Sequence, residues 1–225
     1  MSTAMNNKYM TLIQCLDPLF PTGSYTLSNG METYTQKGIV GSEKTLKEHL
    51  GSYIYMLSFN ELAFAARSAQ GCSLEWLDEL LTAVKAPSEL RSGSIRQGTR
   101  CMKLIAELAD CPRLREYHAL TSSGKCSGHH CIAVGALIQD TGTELADGLC
   151  LYGYSLLSAM ANHAAKLVPL RQLDAQSALA EALKLIPSAA ETAVSVPDSE
   201  LGSSFCGFDI RSMQHETLFS RLYIS

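Results

Sequence analysis

The sequence predicts an all-α protein, a single-domain bundle of about eight to ten helices that ends in a tail of different character. Three observations carry the prediction. Sustained apolar–polar alternation, the mark of a half-buried strand, is nearly absent. Apolar residues recur instead three and four positions apart along most of the chain, which places them on one side of a helix. Ser, Thr and Asp stand where these runs begin, and Gly or Pro where they stop.

Taken in order, Tyr9, Leu12, Ile13 and Leu16 share one face of a first helix that stops before Pro18. Residues 28–37 read as a second helix, ended by Gly38. Thr45 with Glu48 fits a capping box and opens a longer helix with Leu50, Tyr53, Ile54 and Leu57 inward. Residues 61–70 continue as helix until Gly71. Ser73 caps the next, with Leu74, Leu77, Leu80, Leu81 and Val84 inward, and Pro87 ends it. Residues 88–110 form a helix carrying Arg91, Arg96, Arg100 and Lys103, and residues 112–120 a short one. Residues 129–140 and 144–168 are helical and unusually apolar. Gly148, Gly153, Ser155, Ser158 and Ala159 mark the second of these as a central helix with close neighbours. The Leu167-Val168-Pro169-Leu170 break follows, then a helix capped by Asp174 with Leu179, Leu183 and Ile186 inward, ending at Pro187. Residues 188–195 add a turn or two, and residues 196–204, rich in Ser with Pro197 and Gly202, read as a linker.

Residues 16–32 are built differently. Pro18 and Pro21 fix φ and push their predecessors out of the helical region, while Gly23 and Gly30 permit backbone angles that a Cβ forbids. Leu19, Phe20, Tyr25 and Leu27 are more apolar than a solvated loop requires. This predicts a buried, shaped loop that ends by capping a helix at Ser28 or Asn29. Phe20, Pro21, Gly23, Ser28 and Gly30 are its structural residues.

The second unusual stretch is the C-terminal tail, residues 205–225, set apart from a helical domain at 1–204. Phe205, Phe208, Ile210, Met213, Leu218, Phe219, Leu222, Tyr223 and Ile224 make it apolar and aromatic, and only residues 212–219 look able to form a short helix. Polar chain ends fray. An apolar one folds back on its own core or docks on a partner, ordering as it binds.

Bulk composition excludes several function classes. With 225 residues, 46% of them hydrophobic and 18% charged, the chain can bury a proper core. A net charge of −4 without clustered Lys and Arg argues against nucleic acid and anionic membrane as partners. No apolar run is long enough to span a bilayer, and residues 1–8 lack the pattern of a secretion signal, so a cytoplasmic location is expected. In that reducing setting the eight cysteines read as small buried apolar groups rather than disulfides.

Catalytic motifs fail in turn. Ser122-Ser123-Gly124-Lys125-Cys126 lacks the first glycine and the closing hydroxyl of a phosphate-binding loop. His215-Glu216 has no second histidine at zinc-protease spacing, and no nucleophile elbow occurs. The chain is therefore expected not to be an enzyme and to need no cofactor. One metal-like cluster exists, Cys126, His129, His130 and Cys131. Its donor types suit zinc or nickel, but three are consecutive and on a helix would diverge. The favoured reading is a helix start with packing residues and no metal ligands; the alternative is a direct nickel or zinc binder using these four side chains.

Three stretches together resemble the urease accessory protein UreF family. Residues 20–32, Phe20-Pro21-Thr22-Gly23-Ser24-Tyr25 through Ser28-Asn29-Gly30-Met31-Glu32, are similar to F-P-x-G-[GS]-[FY]-x-x-S-x-G-[LM]-E. Lys166-Leu167-Val168-Pro169-Leu170-Arg171-Gln172 is similar to [KR]-L-[IV]-P-L-G-Q, with Arg171 in place of the usual glycine. Residues 209–225 resemble the family's ending, D-I-x-S-M-x-H-E-x-L-x-x-R-L-F-x-S, with Tyr223 for Phe.

The resemblance implies an all-α, non-catalytic chaperone in nickel insertion, commonly a homodimer. It implies that the protein bridges the UreD/UreH accessory protein and the UreG GTPase on apo-urease while the nickel centre matures. It places Glu32 and Lys166 at or near the GTPase-facing surface. It makes the tail the part that orders against UreD/UreH, with His215, Glu216 and Arg221 as its polar contacts and Met213, Leu218, Phe219 and Leu222 as apolar anchors.

Overall fold

A computed structural model describes residues 3–225, with side chains from Tyr9 onward. Among the described residues there are twelve α-helices, two 3-10 turns and no strand. The helices are α1 (Thr3–Leu16), α2 (Met31–Gln36), α3 (Glu43–Phe59), α4 (Glu61–Ala69), α5 (Leu74–Val84) and α6 (Ser88–Leu108). They continue as α7 (Pro112–Ser122), α8 (His130–Thr141), α9 (Leu145–Leu167), α10 (Gln172–Leu183), α11 (Ile186–Ser195) and α12 (Cys206–His215).

α8 is the axis of the bundle. From Cys131 to Ile138 every residue is buried, so it shows no polar face and must be surrounded. α4, α6, α7 and α1 pack around it. Gly135 lets α4 approach at backbone contact, because a Cβ there would overlap the Ala65 carbonyl oxygen. α9 crosses the same core through Leu149, Tyr152, Leu157, Met160 and Ala161, and joins it to a second group formed by α3, α10 and α11. α12 lies outside the bundle against α2 and α6.

The all-α reading holds, and the helix count is higher than expected because short pieces that read as turns are helices. Pro187 opens α11 rather than ending α10: it sits in the first turn, where a missing N–H costs nothing. α12 begins six residues before the expected short helix at 212. The cap of α3 is Ser42, whose hydroxyl accepts from Thr45 N at 3.3 Å while Thr45 Oγ1 accepts from Ser42 N at 3.0 Å, so Thr45, the third residue of the helix, closes the box and does not start it. Residues 196–204 are not a free linker. A 3-10 turn at Asp198–Glu200 brings Leu201 into the core, and Gly202 N donates to Phe59 O at 2.9 Å.

The loop at 17–30 is buried only in part. Phe20, Leu27 and Ser28 are inside, but Leu19 is 90% exposed and Tyr25 is also outward. The cap residue of α2 is Gly30, at φ 82°, with Asn29 also left-handed at φ 51°. Ser28 still contributes, since its hydroxyl accepts from Glu32 N at 3.4 Å. A Cβ on Gly30 would stand 2.8 Å from Ser212 Oγ, so the glycine also admits α12.

Five of the eight cysteines are buried, and all eight are free thiols. No helix among the described residues is long and apolar enough to cross a membrane.

Candidate functional site

Three segments far apart in sequence meet beside α12: the loop and first turn of α2, the first turn of α6, and the chain end. Glu32 is the centre. It is only 3% exposed. Its Oε1 accepts from Leu222 N at 2.7 Å, and its Oε2 accepts from Tyr223 N at 3.1 Å and faces His215 Nε2 at 3.0 Å. Burial alone would raise the Glu32 carboxyl. The backbone N–H of Leu222, then His215 and the N–H of Tyr223, outweigh it and hold the group below the usual carboxylate range.

His215 is buried completely, and its Nδ1 lies 2.6 Å from Glu89 Oε2 in the first turn of α6. The other Glu89 oxygen accepts from Arg221 Nη1 at 2.6 Å. Ser88 Oγ donates to Glu216 Oε1 at 2.6 Å. Beyond this knot the chain end runs extended beside the opening loop: Ile224 N donates to Thr26 O at 2.8 Å, and Ser28 N to Ser225 O at 2.5 Å. Gln36 Nε2 adds a bond to Ser220 O at 2.9 Å.

The apolar inner face of the tail is inserted among aromatic rings. Phe208 packs 5.4–5.9 Å between centroids from Tyr34, His49 and Tyr53. Tyr223 meets His163 of α9 edge-on at 4.9 Å. The outer face is apolar too. Ile210, Met213, Leu222 and Ile224 are exposed, and Phe219 is entirely so. Five large apolar side chains thus face water within fifteen residues of the chain.

The residues singled out from sequence therefore fall into separate places. Glu32 and His215 are interior groups that hold the tail, so Glu32 is not presented at a surface in this conformation. Glu216 and Arg221 are exposed and tie the tail to α6. Met213, Phe219 and Leu222 point outward, and Leu218 is half-buried. Lys166 is exposed near the end of α9. With Leu19 and Tyr25 it lines a hollow of about 200 Å³ whose wall includes His163, which is also the ring that Tyr223 touches. Arg171, where a glycine was usual, takes φ −66° and pairs with Asp174 at 2.6 Å, so a side chain fits there without strain. Sequence reasoning missed Glu89. An acidic residue in a first helical turn looks like ordinary compensation of the helix dipole, and nothing local marks its second role.

The Cys126, His129, His130 and Cys131 group is a packing and hydrogen-bonding centre. His129 has both ring nitrogens engaged, Nε2 with Thr82 Oγ1 and Nδ1 with Ser94 Oγ, each at 3.0 Å. Asp78, which sequence reasoning also missed, accepts from Ser127 N at 2.6 Å and Gly128 N at 2.9 Å, and from the Tyr117 hydroxyl. Burial lowers His129 and His130 to about 4 and pushes the Cys126 thiol up to about 11 and the Cys131 thiol further. Among the described residues no three His, Cys, Asp or Glu side chains are grouped to hold a metal ion. The direct-binder alternative thus loses its proposed ligand set.

A family model described as UreF matches residues 40–183. The chain is 33% identical over 221 residues to the urease accessory protein UreF of Actinobacillus pleuropneumoniae serotype 3, covering 95% of this chain and 97% of that one. It is 31% identical over 224 residues to the protein of the same name in Haemophilus influenzae, covering 95% and 94%. A third, from Arthrobacter sp. strain FB24, is 29% identical over 223 residues and 99% of each chain. The alignments thus extend past the matched helical body, and with this fold they show that the chain belongs to the UreF family of urease accessory proteins.

Proposed function

We propose that this protein is a non-catalytic scaffold in urease nickel insertion that bridges the UreD/UreH accessory protein and the UreG GTPase on apo-urease. The observation that carries the reading is the docked tail: its polar groups are spent on the chain's own body, while Met213, Phe219, Leu222 and Ile224 stand in water. Such a fixed apolar ridge fits a groove on a protein partner, with the aromatic side chain as anchor. UreD/UreH is the partner assigned to it. Glu32, His215, Glu216 and Arg221 serve this contact indirectly by setting the ridge in place. Lys166, exposed beside Leu19 and Tyr25, is assigned to the surface facing the GTPase. A homodimer working in the cytoplasm completes the proposal.

The test is capture of purified UreD/UreH by the full chain carrying Phe219→Ser and Leu222→Ser, with Lys166→Ala as the parallel variant for UreG. Each variant is expected to lose its own partner and keep the other. Undiminished capture of UreD/UreH by the double variant rejects the ridge, and undiminished capture of UreG by Lys166→Ala rejects the second surface.

A further inference from the structure

α6 carries an uncompensated pair of cations. Arg96 and Arg100 lie four residues apart on this helix, and both are exposed. Like charges at that spacing repel. On other helices the cation finds an opposite charge three or four residues away, as Lys47 does in Glu43, Arg113 in Glu116 and Lys184 in Glu181. Arg96 has no hydrogen bond or ion pair among the described residues, and Arg100 has a single bond, from Nε to Pro21 O at 3.4 Å. Both guanidiniums therefore keep most of their N–H donors free.

The pair borders a hollow of about 470 Å³ between α6, the opening loop and the chain end. Leu27 and Gly93 are its buried lining, and Tyr25 and Ile224 stand exposed at its rim. No carboxylate side chain lines it. It offers positive charge beside apolar surface, which suits carboxylates carried on a partly apolar molecule.

Shape and charge number select among such molecules. Nucleic acid draws its affinity from many phosphates, and two guanidiniums answer only two. A helix with its side chains is about 10–12 Å across and too wide to enter, whereas an extended chain is narrower. Residues four apart on α6 are about 6 Å apart along its axis. Alternate residues of an extended chain point the same way and are about 6.6 Å apart. The two guanidiniums thus match carboxylates at alternate positions.

We propose that this hollow docks an extended acidic segment of a partner protein, with Asp or Glu at two alternate positions, one carboxylate on Arg96 and the other on Arg100. Tyr25 and Ile224 receive the apolar side chains that flank them. The recognition is the pairing of an acidic motif with clustered arginines. The hollow shares Ile224 with the apolar ridge and Tyr25 with the hollow beside Lys166. It stands whether or not either of those surfaces meets its assigned partner.

The probe is a capped peptide, Ser-Glu-Leu-Glu-Ser, added at low salt to the full chain and raised to millimolar concentration. NMR follows the arginine side-chain N–H and the backbone amide signals. The Nε–H signals of Arg96 and Arg100 and the amides of Gly93 and Ile224 are expected to shift together and saturably, and the shifts to shrink as salt is added. The peptide Ser-Gln-Leu-Gln-Ser should leave all four in place. The Glu peptide added to Arg96→Gln/Arg100→Gln should leave the Gly93 and Ile224 amides in place. No shift at the hollow, shifts spread equally to Lys44 and Lys184, or an equal response to the Gln peptide overturns the proposal. Inorganic phosphate at the same concentration is the remaining control. If it reproduces the shifts as fully as the Glu peptide, the hollow is a general anion site and the acidic segment is rejected.

Discussion

Glu32 and His215 lie 183 positions apart in the chain and meet at 3.0 Å in the interior, where they join the start of the fold to its end. Burying the pair is worthwhile only because each remaining polar atom of the carboxylate and the ring has a partner. The tail is thus fixed on one side by ionic and backbone bonds and on the other leaves an apolar ridge in water.

Removing one member of the buried group should be costly. Glu32→Ala strands His215 and two backbone N–H groups, and is expected to lower stability by roughly 2–4 kcal/mol. Denaturant melts and exchange at Leu222 and Tyr223 would show it. A midpoint equal to that of the unmodified protein would return Glu32 to the role of a surface contact. Arg221→Ala should differ sharply, because its partly exposed ion pair with Glu89 is of the kind worth about 0–1 kcal/mol.

Acid should weaken the fold through identifiable groups. Glu32 is held below the usual carboxylate range, so its contribution is present at neutral pH and is lost as pH falls through that lowered value. His49 acts earlier on the same descent. Burial lowers it to about 4, so between about 6.5 and about 4 the unfolded chain binds a proton that the fold refuses, and stability falls with pH. His49→Phe, among Tyr34, Tyr53 and Phe208, is expected to make that part of a stability–pH curve measured by urea unfolding shallower, with His129, His130 and His163, also lowered to about 4 by burial, carrying the rest. An unchanged slope would assign the acid sensitivity elsewhere.

Among the described residues Gly135 is one of the core positions with no room for a side chain. Gly135→Ala is expected to cost about 1–3 kcal/mol or more, because its methyl group meets the Ala65 carbonyl where α4 and α8 touch. A thermal melt at the same protein concentration measures it, and an unshifted midpoint would contradict the packing described.

Much of the fold was legible in the sequence because helical periodicity is local. Leu74, Leu77 and Leu81 declare a buried face without reference to any other part of the chain, and the structure buries them. Boundaries were less legible where one residue serves two purposes. Pro187 ends a run of helix and begins another with equal ease, and Thr45 can open a capping box or close one. The site was legible only as motifs. Glu32 and His215 each look like a polar residue on a helix, and no local pattern states that they are one contact. Their burial is a consequence of where α12 lands, which rests on Phe208 reaching three aromatic rings and Gly30 admitting Ser212. Leu19 and Tyr25 misled for the opposite reason: apolar residues in a loop suggest a core, yet both face water.

The most direct test of the docked tail is hydrogen exchange on the free, full-length chain without any partner present. The account predicts that the Leu222 and Tyr223 amides are protected in the unmodified protein and exposed in Glu32→Ala, while amides of α8 stay protected in both. Rapid exchange at Leu222 and Tyr223 in the unmodified protein, at neutral pH, would contradict it.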